Sequence, residues 1–136
     1  VSRIVFDSNV YIPSLAFGRG PRHDLILHCL ETHHVFYSAF ILGEVIDKLT
    51  NKFALPQSTV HKAMSLVRQL SYEVQPAQVS AADCRDPNDL PILGTVISAE
   101  ADVLVSGDKD LLSIETYKEV PILAPHDFWR WKAEQV

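Results

Sequence analysis

Cysteine is scarce in this chain. Cys29 and Cys84 are its two thiols, too few for a disulfide framework and with no CxxC spacing. They read as reduced thiols of a cytosolic protein, with a disulfide between them the lesser alternative. Long apolar runs are missing as well. None approaches the ~20 residues needed to span a bilayer, and nothing near the start has the pattern of a signal peptide. The expectation is a cytoplasmic protein with no membrane partner. The chain opens on Val1, not Met, which points to a trimmed or missing native start. Basic residues are outnumbered, 12 Lys and Arg against 17 Asp and Glu, for a net charge of −5. That balance argues against a non-specific grip on duplex DNA, which depends on neutralising many phosphates. It leaves cleavage of nucleic acid open, because bound divalent cations reverse the local sign.

Other absences narrow the field further. There is no internal repeat, low-complexity tract or linker, and no His pair has zinc-like spacing on a convincing helix. His33-His34 falls between a helix and a strand and reads as solvated. Gly18 and Gly20 do not follow a strand, so a dinucleotide fingerprint is excluded. Trp129 and Trp131 read as packing anchors more than base-stacking platforms, or as contacts for a protein partner.

What is present is 136 residues, 47% hydrophobic and 21% charged, enough for one domain with a real core. Ile4-Val5-Phe6 reads as a buried strand that finishes in the turn-forming residues Asp7-Ser8-Asn9. Pro21 opens a helix carrying Leu25, Ile26, Cys29 and Leu30 at helical spacing, and Val35-Phe36-Tyr37 is a second strand. Ser38 caps a helix with the stripe Ile41, Leu42, Val45, Ile46 and Leu49. A further helix restarts near Pro56 and carries Val60, Met64, Leu66, Val67 and Leu70. Tyr72-Glu73-Val74 is a third strand. Asp86-Pro87-Asn88-Asp89 feeds a helix running to about Ala99, with Asn88 as its cap. Val103-Leu104-Val105 is an all-apolar strand ending in Ser106-Gly107-Asp108, followed by a short helix at Leu111-Leu112. A last strand around Val120, Ile122 and Leu123 precedes a C-terminal helix from about Pro125. Alternating helices and doubly buried strands predict an α/β fold, a three-layer α/β/α sandwich around a mainly parallel sheet.

Ligands of such sheets bind beyond the strand carboxyl ends, where strand order reverses. Asp7 and Asp108 both follow an apolar strand, Asp89 starts the helix into the fourth strand, and Glu44 lies shortly after the second. If strands one and four are neighbours across that reversal, one geometry gathers all four. Singly, each has a plainer explanation. Asp7 can close an Asx-turn, and Glu44 can pair with Lys48 for about 0.3–0.5 kcal/mol. Asp89 suits a helix N-terminus on macrodipole grounds, and Asp108 can be a turn or cap. Together, crowded carboxylates repel until protons or a cation join them, and hard oxygen ligands suit Mg²⁺ or Mn²⁺. Those ions suit phosphodiester hydrolysis. Arg19, Arg22, Lys48, Lys52, Arg85 and Lys109 are candidates for phosphate contacts.

At these residues the chain resembles the PIN-domain family, and within it the VapC-like toxins of bacterial toxin–antitoxin systems. The likeness runs through Val5-Phe6-Asp7-Ser8-Asn9-Val10, Ser38-Ala39-Phe40-Ile41-Leu42-Gly43-Glu44-Val45, Arg85-Asp86-Pro87-Asn88-Asp89 and Val105-Ser106-Gly107-Asp108-Lys109-Asp110-Leu111. It extends to Leu123-Ala124-Pro125-His126-Asp127-Phe128 and covers essentially the whole chain. Gly43 stands where an acid is often found beside the second carboxylate, and Pro91 stiffens the start of its helix. The resemblance implies one PIN-like nuclease domain over residues 1–136, acting as a Mg²⁺- or Mn²⁺-dependent endoribonuclease. Asp7, Glu44, Asp89 and Asp108 would be catalytic and would hold one or two ions. Ser8, Asn9 and Ser106 would support them, with Asp110 as an auxiliary acid. It also implies an RNA substrate, an antitoxin partner and a homodimer or higher oligomer. Two rivals compete. A phosphatase usually has a second acid two residues after the first, where this chain has Asn9. A non-catalytic interaction module would bind partners without any need of the four acids.

Overall fold

The computed structural model describes residues 1–135. Its strands are β1 (Arg3–Phe6), β2 (His34–Tyr37), β3 (Tyr72–Glu73), β4 (Val103–Val105), β5 (Thr116–Tyr117) and β6 (Val120–Leu123). Its helices are α1 (Ser8–Phe17), α2 (Pro21–Thr32), α3 (Ala39–Asn51), α4 (Gln57–Leu70), α5 (Leu90–Ser98), α6 (Lys109–Leu112) and α7 (Phe128–Glu134). The sheet order is β3-β2-β1-β4-β6-β5, parallel except for the antiparallel β5–β6 pair at one edge. This is the mainly parallel α/β sandwich expected from the sequence.

Past Arg3 at the start of β1, the central strands β1 and β4 are apolar because helices cover both of their faces. Ile4, Val5, Phe6, Val103, Leu104 and Val105 are all fully buried. The chain steps from β1 through β2 to β3 on one side, then returns to place β4 on the other side of β1. Strand order therefore reverses between β1 and β4, in the register Ile4↔Val103, Val5↔Leu104 and Phe6↔Val105. A crevice at their carboxyl ends follows from that reversal.

Two elements depart from the sequence expectation. Asp7-Ser8-Asn9 is not a turn but the cap and first two residues of α1, which tolerates Pro13 in its interior. A proline there removes the helical N–H that would bond the Asn9 carbonyl. That carbonyl instead accepts Nη1 of Arg22 at 3.0 Å. Gly18 ends α1 in the left-handed conformation (φ 64°), its N–H bonded to Ser14 O at 2.8 Å. The second departure is β5, paired with β6 through Lys118 and Glu119, both at positive φ (48° and 72°). Smaller corrections follow. Leu66 and Leu70 on α4 are exposed. His33 is half-buried, its Nδ1 accepting the Ser2 N–H at 3.2 Å. Trp131 packs against the core, but Trp129 is 46% exposed and not an anchor. Both cysteines are free and buried.

α3 and α5, which bear Glu44 and follow Asp89, are tied together below the surface. Ser38 caps α3, accepting the Ile41 N–H at 3.4 Å. Its hydroxyl also pairs with that of Thr95 on α5 at 2.9 Å, and Thr95 donates to Pro91 O at 2.7 Å. Gly94 lets the chain at Pro76 and Ala77 lie directly on α5, with the Ala77 N–H bonded to Gly94 O at 3.0 Å.

Candidate active site

The site begins where the sheet ladders run out. Asp7 adds one more bond beyond β1, donating its N–H to Val105 O at 2.9 Å, and Ser106 does the same beyond β4 towards Leu123 O at 2.9 Å. These neighbouring extensions bring their side chains together, and Ser106 Oγ donates to Asp7 Oδ2 at 2.8 Å. The same hydroxyl accepts the Asp108 N–H at 3.0 Å. Asp7 Oδ1 accepts the Ser8 N–H at 2.7 Å, which caps α1. The Ser8 hydroxyl reaches across to α3 and donates to Glu44 Oε1 at 3.1 Å. Asn9 Oδ1 accepts the Gly107 N–H at 2.9 Å and so fixes the loop that carries Asp108.

The remaining acids form the tightest group. Asp89, Asp108 and Asp110 each offer a carboxylate oxygen, and these atoms lie within 4.8 Å of one another. Asp108 caps α6, accepting the Asp110 N–H at 2.9 Å. Asp89 sits at the start of α5 but makes no capping bond with its side chain. The cap expected of Asn88 belongs to Asp86, which accepts the Asn88 N–H at 3.0 Å and caps a 3-10 turn over Pro87–Asp89. The Asp89 carboxylate is thus left to face the other acids while 6% exposed.

The expected quartet therefore sits in two linked parts. Asp89 and Asp108 share the tight cluster with Asp110, while Asp7 and Glu44 reach it through the hydroxyls of Ser106 and Ser8. The plainer roles coexist with this arrangement, since Asp7 and Asp108 are both caps. The Glu44–Lys48 pair does not form; Lys48 lies 4.0 Å from Asp47 instead, both exposed. Two neighbours were not foreseen. Cys84 Sγ lies 3.8 Å from Asp89 Oδ2, and Asp86 adds negative field at Glu44 and Asp89. The Asp-Pro-Asn-Asp run carried a signal for Asp86; nothing in the sequence marked Cys84.

Electrostatics follow from burial and crowding. Burial raises the Asp89 pKa, and Asp108 and Asp7 add to it, taking it from the ordinary 3.8 to about 7. Burial raises Asp7 as well, opposed by the bonds from Ser106 and Ser8. Glu44 rises for the same first reason, opposed by the bond from Ser8. These groups resist ionising together unless positive charge arrives, and the donors around them are hard oxygens. Cys84 does not alter that set, since burial raises its thiol and keeps it protonated. The donor chemistry fits Mg²⁺ or Mn²⁺.

A pH dependence follows. Asp89 holds its proton to about pH 7 when folded but to about 3.8 in the unfolded chain. Its contribution to metal-free stability is full below the lower value and is lost as pH rises through the upper one. The expected result is that, in EDTA, wild type loses more melting temperature between pH 5 and pH 8 than Asp89→Asn does. Parallel slopes for the two proteins would show that Asp89 is not perturbed.

Comparison with known proteins adds to this geometry. The family described as PIN domain matches residues 3–110. No curated protein matches the sequence. Among solved structures, the fold is similar to a chain in the crystal structure of VapBC2 from Rickettsia felis bound to a DNA fragment from their promoter. The two share 11% identity with a TM-score of 0.61, over 88% of this chain and 96% of that one.

Proposed function

Because the chain belongs to the PIN-domain family, we propose that residues 1–136 are one nuclease domain that hydrolyses RNA phosphodiester bonds with the help of Mg²⁺ or Mn²⁺. The observation that supports this best is the meeting of Asp7, bridged by Ser106, with Asp89, Asp108 and Asp110 at the β1–β4 reversal. Asp7, Asp89 and Asp108 would hold one or two ions, with Glu44 and Asp110 completing the surroundings. A bound ion supplies the charge that activates water and steadies anionic oxygens.

The protein's own part is to hold those oxygens still. Asp7 is fixed at both of its oxygens, by Ser8 and Ser106, so its carboxylate cannot rotate away. Ser106 also ties the Asp108 backbone to Asp7, which sets the spacing of the two strand-end acids. Ser8 orients Glu44 from below. Asn9 holds Gly107 and with it the turn into Asp108.

The likeness to a VapBC2 chain supports a role as the toxin of a toxin–antitoxin pair, acting in the cytoplasm, with an antitoxin protein and a second copy of the chain as partners. Among the described residues no helix is long and apolar enough to cross a membrane. The test is cleavage of single-stranded RNA in Mn²⁺, lost in EDTA and restored by excess Mn²⁺. Cleavage indifferent to EDTA, or no heat of manganese binding by calorimetry, would overturn the proposal.

A further inference from the structure

A cleft of about 520 Å³ has Pro13, Phe17, Pro21 and Trp129 among its walls together with Arg19 and Arg22. A second, of about 300 Å³, shares Pro13 and Arg22 with it and adds Lys48 and Lys52. Arg22 joins these clefts to the acids. Its Nη2 lies 3.2 Å from where a Cβ on Gly107 would stand, next to Asp108, and its Nη1 is held by Asn9 O. Among the described residues, neither arginine has a carboxylate partner, and no acidic side chain lines either cleft. In a chain of net charge −5, this is a local reversal of sign. Phe17 and Trp129 are 62% and 46% exposed, Phe17 packing edge-on against Phe53 and the Trp129 ring lying 4.8 Å from the His28 ring, centre to centre.

Aromatic faces beside unpaired guanidinium groups suit an unpaired nucleic-acid strand, whose bases stack while its phosphates meet cations. A duplex has no free base faces to offer. From this geometry we infer that the cleft between Phe17 and Trp129 takes a nucleobase of a single-stranded RNA, and that Arg22 and Arg19 grip the phosphates between that base and the acid centre. Resting on the nuclease reading, this assigns one binding subsite for the substrate strand. Trp129 and Phe17 act on affinity and not on the reacting phosphate. Lys48 and Lys52 line the second cleft, where the same strand continues past Arg22. Arg85 lines neither cleft and lies 3.8 Å from Asp110.

The test is fluorescence titration of the Asp7→Asn protein in MnCl₂ with a short labelled single-stranded RNA, and with the same RNA lacking each base in turn. Trp129→Ala and Phe17→Ala, both at exposed positions, are each expected to weaken binding about tenfold, within the range of one lost stacking contact. One abasic position should lose a similar factor and lose nothing more when combined with Trp129→Ala. Arg22→Gln should weaken binding and flatten its salt dependence. Full affinity in both aromatic variants, while wild type still cleaves RNA, would overturn the base site and leave the nuclease intact. Failure of wild type to bind or cleave RNA would remove the parent reading and this one together. If Trp129→Ala instead dissociates a dimer and leaves RNA binding unchanged, the occupant is a second copy and the inference fails.

Discussion

Asp7→Asn is expected to lower RNA cleavage by at least about a hundredfold, yet in EDTA to melt no lower than wild type. The first part follows from the position of Asp7 at the strand reversal. Loss of an outer partner to a metal ligand costs about 10–100-fold, so if Asp7 is the ligand proposed above its loss belongs at or beyond that upper end. The second part is a balance. Asp7 is 3% exposed and raised in pKa, so its ionised form is held against both burial and the charge of Asp108. Asparagine keeps an oxygen for the Ser8 N–H and removes the charge. Its amide can donate to the Ser106 hydroxyl, which then turns its own proton elsewhere. Relief of repulsion offsets the changed hydrogen bond. A Tm several degrees lower in chelator would show that the cap and the Ser106 bond outweigh the repulsion. Cleavage retained within tenfold would remove Asp7 from the site.

Gly94→Ala is expected to be the most destabilising single-methyl change in the chain. A Cβ there would run into the Ala77 carbonyl oxygen, and would also meet Ala77 N and Pro76 Cβ at 3.1 Å each. Backbone cannot swing aside as a side chain can, so the 76–77 segment must lift off α5 and give up the Ala77–Gly94 hydrogen bond. Overpacking of this kind costs about 3 kcal/mol, against about 1 kcal/mol gained from alanine's better helix propensity. The net of about 2 kcal/mol corresponds to a Tm drop of roughly 5–10 °C, measurable by calorimetry or circular dichroism. Because Asp89 begins the same helix, RNA cleavage should fall with it. An unchanged Tm would mean that the segment yields freely and that Gly94 has no packing role.

The legible parts of the fold were those with uniform burial. β1, β2 and β4 announce themselves because their doubly covered stretches, Ile4–Phe6, Val35–Tyr37 and Val103–Val105, must be apolar. α3 was visible because its apolar stripe and serine cap agree. What stayed hidden broke a local rule. α1 was obscured by Pro13 and by a polar start that reads equally as a turn. β5 was obscured because its hairpin reverses through Lys118 and Glu119 at positive φ, where glycine or asparagine is the usual sign. At the site, sequence spacing led to one sheet edge but not to the partition of the acids. Asp110 lies in the tight cluster because α6 begins at once after Asp108 and turns the next acid inward. The Glu44–Lys48 pairing failed for a related reason. Ser8, distant in sequence, reaches Glu44 first, and a tertiary hydrogen bond displaces a weak neighbour interaction.

The irregularity at Pro13 carries a cost and a use. By leaving the Asn9 oxygen without its helical donor, it creates an acceptor open to a donor from another element, and the arginine that answers is thereby seated by main chain. Any amide-bearing residue at position 13 would compete for the same lone pairs. Local regularity and the aim of that guanidinium are therefore opposed: a smoother α1 would be a sturdier helix with a looser arginine.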